Sequence, residues 1–155
     1  MQKEIRKAAT LLFLLALCAV TGAAQQSSIE PYIVKGDGNA GELNSAYLDK
    51  LTVDQQSTNE RIFVIARLGQ SETARSLNLN RLQAARSYLV ETRGINREQV
   101  IFAEGERAAG EGRIEFYLGS ELMLVSLAAR GRNVSLNCCE DYTPPRKIKS
   151  RKRKS

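Results

Sequence analysis

Residues 71–94, SETARSLNLNRLQAARSYLVETRG, limit the fold more than any other stretch of the chain. Read as a helix, they set Leu82, Ala85 and Leu89 on one stripe, widened by Ala84 and Tyr88, at the spacings of three and four that bury one helical face. Ser71 is placed to cap the free amides of the first turn, and Glu72 suits the positive end of the helix. Arg93 suits the negative end, and Gly94 can take the left-handed conformation that stops a helix. Strand-like sequence lies on both sides. The expected class is therefore α/β of the α+β sandwich type, in the order β-α-β-α-β-β, with the helices packed on one face of a small mixed sheet.

The remaining elements follow from local pattern. Residues 32–35 read as a short strand closed by Gly36, Asp37 and Gly38. Asn39 with Glu42 three positions on forms a capping-box pattern, and Leu43, Ala46, Tyr47 and Leu51 make the expected buried stripe of a helix that ends before Ser57. Residues 61–68 (RIFVIARL) are rich in branched and aromatic side chains and read as a central strand ended by Gly69. Residues 99–103 (QVIFA) read as the next strand, and the glycine-rich residues 105–112 as a hairpin connection. In residues 113–118, Ile114, Phe116 and Leu118 alternate with Arg113, Glu115 and Tyr117, which marks one buried and one wet face. Residues 120–130 (SELMLVSLAAR) fit a short capped helix closed by Gly131; residues 122–127 would also serve as a strand, and the helix is preferred.

The amino terminus carries an address. Lys3, Arg6 and Lys7 precede an apolar run from Ala8 to Val20, and small residues follow up to Ala24. Charge, length and small-residue exit are those of a secretory signal peptide, and the run falls short of the about 20 residues of a membrane span. Anchoring as a lipoprotein through Cys18 is disfavoured because bulky Leu17 precedes the cysteine. The expected location is the periplasm or cell envelope of an exporting bacterium.

Charge divides the chain. The net charge is +6, but three bases against one acid in residues 1–24 and seven bases in residues 146–154 leave residues 25–145 at −3. The terminal RKIKSRKRKS reads as part of a disordered basic tail suited to an anionic envelope polymer or lipid. The export signal argues against nucleic acid as its partner.

Cys138 and Cys139 are neighbours, so a bond between them would be strained, since adjacent α carbons sit about 3.8 Å apart. Free thiols, a link to another chain, or a strained redox pair remain open. No histidine occurs anywhere. Acid–base catalysis at neutral pH would thus need a strongly shifted carboxylate or lysine, and nothing in the pattern proposes one. Glu104, Glu106 and Glu111 read as a solvated loop. No catalytic residue, metal site or cofactor is expected.

Arg75, Arg86 and Arg93 read as the wet side of the organising helix. Arg81 differs, because it adjoins the buried stripe one position before Leu82, where a guanidinium could reach over a strand end and grip a carboxylate at two points. Leu77, Asn78, the pairs Arg81-Leu82, Tyr88-Leu89 and Gly94-Ile95, and the closing Arg113-Ile114-Glu115-Phe116 together resemble the OmpA-like carboxy-terminal domain, across about residues 41–118. That resemblance implies a peptidoglycan-binding type of module, with the stem peptide or another envelope protein as partner and Arg81, Asn78 and Arg67 as ligand-binding residues. In the family an aspartate after the preceding strand joins the arginine in holding diaminopimelate. Here the matching segment reads Ala66-Arg67-Leu68-Gly69, so the aspartate is missing, and the asparagine expected at the start of the helix is Ala74.

The organisation expected is a signal peptide (residues 1–24), a lead with the first strand (25–38), an OmpA-like core (39–119), an extension (120–137) and a basic tail (138–155). The function expected is an exported, non-catalytic envelope binding or scaffolding module. The alternative is a divergent protein-interaction module that no longer binds peptidoglycan, with Cys138 and Cys139 available for a disulfide-linked dimer.

Overall fold

The branched run that reads as a central strand lies inside a five-stranded sheet and is paired on both sides. The computed structural model describes residues 30–37, 39–129 and 132–137; the expected signal peptide, Cys18, Cys138, Cys139 and the expected basic tail lie outside the described residues. In chain order the elements are β1 (Tyr32–Val34), α1 (Ala40–Thr58), β2 (Ile62–Arg67) and α2 (Ser76–Arg86), which continues as a π-helical turn over Ser87–Thr92. A 3-10 turn (Arg97–Gln99), β3 (Val100–Glu104), β4 (Arg113–Leu118) and β5 (Glu121–Leu127) follow. The sheet order is β1-β5-β4-β2-β3, with β1·β5 and β2·β3 parallel and β2·β4 and β4·β5 antiparallel. This is an α+β fold with a mixed sheet and two main helices.

Alternation along the strands places the core. Ile62, Val64 and Ala66 of β2 and Ile114, Phe116 and Leu118 of β4 turn to the helices and are buried. They meet Leu48 and Leu51 of α1 and Ala85, Tyr88 and Leu89 of the α2 region. The helical segment ends as expected: the amide of Ile95 donates to the carbonyl of Leu89 at 3.0 Å, and Gly94 sits at φ +70°.

Several local expectations fail for identifiable reasons. Residues 120–130 do not form a helix; β5 occupies Glu121–Leu127. The apolar run ELMLVSL has no polar helical face, and Gly119, at φ +58°, makes a two-residue turn that folds it back onto β4. Residues 105–112 are not a hairpin connection, because β3 and β4 do not pair. They flank β2 on opposite sides, and the link crosses the end of β2.

The organising helix begins at Ser76, not near Ser71, whose neighbour Glu72 donates its amide to the carbonyl of Gly69 in a preceding turn. The capping box at Asn39 does not form, although α1 starts there. The buried face of α1 is Asn44, Leu48, Leu51, Thr52 and Gln55, while Leu43 and Ala46 are exposed. Polar residues hid that face: Asn44 Nδ2 donates to the carbonyl of Ser135 at 2.7 Å, and Thr52 Oγ1 to that of Leu48 at 2.9 Å. Hydrogen bonds from these side chains to main-chain carbonyls make such residues tolerable in a core where hydropathy would reject them.

Candidate functional site

Arg81 projects from α2 toward the end of β2 and is fully buried. A guanidinium there must find partners for five N–H donors. Its Nη2 donates to Oε1 of Glu72 at 2.5 Å and its Nη1 to Oε2 at 2.8 Å, a two-point ion pair. Nη1 also donates to the carbonyl of Arg67 at 3.2 Å, and Nη2 to that of Arg132 at 3.1 Å. Only Nε lacks a partner among the described residues. Arg81 thus does grip a carboxylate at two points, but the carboxylate is the chain's own.

Glu72 is equally enclosed. Its Oε2 also accepts the Gly69 amide at 2.9 Å. Arg107 closes the turn from outside, its Nη1 donating to the carbonyl of Gly69 at 2.6 Å and to that of Glu72. Gly112 lies against both ion-pair partners, and Gly69 packs against the backbone of residues 110–112. A cavity of about 370 Å³ lined by Gln70, Ser71, Glu72, Gly110, Glu111 and Gly112 opens beside the pair.

The other two candidate ligand residues do not join Arg81 in one seat. Asn78 is buried on α2, and its Oδ1 has no partner among the described residues. Arg67 shares only its main chain with Arg81. Its side chain lies on the opposite face of the sheet, where Nε donates to Oε2 of Glu115 at 3.0 Å. Arg113 Nε donates to Oε1 of Glu115 at 2.7 Å and the Tyr117 hydroxyl to Oε2 at 3.0 Å. Glu115, expected on the wet face, is therefore buried beneath its own partners. Burial alone pushes its carboxyl up, yet the hydrogen bonds from Arg67, Tyr117 and Arg113 outweigh it and hold the group below the usual glutamate value.

The remaining helix arginines are more engaged than a wet face requires. Arg75 is exposed and holds Glu104, with contacts of 2.7–3.2 Å that lower the Glu104 carboxyl. Arg93 meets the Tyr88 hydroxyl at 2.9 Å and Asp49 at 2.7 Å. Arg86 lies over the Phe102 ring at 5.3 Å.

Sequence reasoning missed Glu72 as the partner of Arg81 because it assigned Glu72 to the first turn of the helix. One signal pointed to it: Glu72 is the only acid between Arg61 and Arg81. Compared with protein-family models, curated proteins and solved structures, the chain gives no match.

Proposed function

We propose that this chain is an exported, non-catalytic module of the cell envelope, of the OmpA-like kind, whose arginine seat is filled from within. It acts as a protein-interaction scaffold and does not hold a peptidoglycan stem peptide. One observation carries the reading. Four of the five N–H donors of Arg81 are taken, two by Glu72 and one each by the carbonyls of Arg67 and Arg132, so the guanidinium offers no pair of donors to an outside carboxylate. An external ligand would have to displace a buried ion pair and leave the Glu72 charge uncompensated, which costs about 3–5 kcal/mol before any gain. No acid stands at the position of the missing aspartate to receive the ligand's ammonium, since that segment carries Arg67.

The test is co-sedimentation of the full-length chain with purified diaminopimelate-type sacculi, with and without added salt and free diaminopimelate. The scaffold reading expects no pelleting, or pelleting through the basic tail that salt abolishes. Saturable pelleting that free diaminopimelate competes away would overturn it.

A further inference from the structure

Among the described residues β3 is the outer strand of the sheet and pairs with β2 alone. The amide of Gly105 donates to the carbonyl of Ala66 at 2.9 Å, which fixes the parity of the strand. In a parallel pair each residue turns its N–H and C=O to the same side, so residues 101, 103 and 105 face β2 and residues 100, 102 and 104 face outward. Arg97 Nη1 already satisfies the outward carbonyl of Val100 at 2.7 Å. Among the described residues the main-chain groups of Phe102 and Glu104 have no further partner and form an open edge, a template for a further strand.

Two cations flank that edge on the helix side. Arg86 from α2 and Arg97 from the turn before β3 both stack on Phe102, at 5.3 Å and 5.2 Å from the ring centroid. Neither has a carboxylate within salt-bridge reach among the described residues, and the nearby Glu104 is held by Arg75. The opposite face of the edge is apolar: Ile101 and Ala103 are exposed beside the half-buried Phe63 and Ile65 of β2.

We propose that the β3 edge is a docking site for an extended acidic segment of a partner protein, added as a sixth strand. Successive side chains of a strand point to opposite faces. The segment therefore alternates acidic residues, which meet Arg86 and Arg97, with apolar residues, which cover Ile101 and Ala103. Main-chain bonds to Phe102 and Glu104 supply register, and the charges supply partner choice. A second copy of this chain is the poorer occupant, because antiparallel pairing of two β3 strands would bring the arginines of both copies together. The site lies apart from Arg81 and does not depend on how that residue is used.

The test is titration of the full-length chain with a fluorescent peptide alternating valine and glutamate, read by anisotropy and by amide exchange. The peptide is compared with its lysine counterpart and with a form N-methylated at alternate amides. Saturable binding is expected, weakened about tenfold by Arg86→Gln with Arg97→Gln. N-methylation should abolish it, and exchange should slow at Phe102 and Glu104. Absence of binding, or equal binding of the lysine peptide, overturns the proposal. Binding indifferent to N-methylation also overturns it, assigning capture to the basic tail. Self-association that slows the same amides gives the edge to a second copy, which is equally fatal.

Discussion

Gly112 faces the Glu72 carboxylate with no room for a side chain between them. A Cβ at residue 112 would overlap Oε2 of Glu72 and stand 2.5 Å from Nη1 of Arg81. Both are ends of flexible side chains, but each is buried and held by several hydrogen bonds, so neither can swing aside cheaply. Gly112→Ala is expected to destabilise the fold by about 1–3 kcal/mol, as overpacking does. Gly69→Ala should cost at least as much, because its Cβ would meet the backbone at Glu111 and Gly112. Urea unfolding midpoints at constant slope measure both.

The Glu72–Arg81 pair should be strongly non-additive. Glu72→Leu alone strands a buried guanidinium and should cost about 3–5 kcal/mol, whereas Glu72→Leu with Arg81→Met removes both charges and should recover much of that loss. A double variant no more stable than the single would show that Arg81 depends on the carbonyls of Arg67 and Arg132 more than on Glu72.

Acid should weaken the fold through Glu115. Its carboxyl titrates below the unfolded value of about 4.3, so its contribution is complete above that pH and is lost as pH falls through the lower folded value. Glu104, lowered by Arg75, acts in the same direction but lies at the surface and adds little. Unfolding midpoints measured across the acid range should drop below about pH 4, and Glu115→Gln should flatten that limb.

How far the sequence revealed this molecule depended on whether each feature was local. β2, β3 and β4 follow from branched residues and alternation, and Gly94 from its own conformational freedom; all four appear within a residue of expectation. β5 was misjudged because its partner lies in β4, and a short apolar run carries no period that separates strand from helix. The α1 face was misjudged because Asn44, Thr52 and Gln55 are buried through hydrogen bonds that hydropathy cannot register. Arg81 was singled out for its position beside the stripe. Its partner emerged only when Gly69 and Gly112 brought the turn at Glu72 back over the guanidinium.

At the other end of the helical layer, Tyr88 is expected to answer alkali. Its hydroxyl donates to Asp49 at 2.6 Å and accepts from Arg93. Burial first, and then Asp49, raise its ionisation above the usual tyrosine value against the opposing pull of Arg93. A raised group stabilises the fold fully below the unfolded value of about 10 and loses that contribution as pH climbs through the folded one. Tyr88→Phe should cost about 1 kcal/mol at neutral pH, the worth of a typical hydrogen bond, and ultraviolet titration should show one fewer late-ionising tyrosine.

The pairing of Tyr32 with Leu124 and of Val34 with Ser126 makes the first strand hostage to the last. Among the described residues its strand partner is β5 alone, so the sheet closes only when nearly the whole domain is present, a high-contact-order arrangement that delays completion. A polypeptide built this way stays threadable while it emerges and locks only after its final strand arrives.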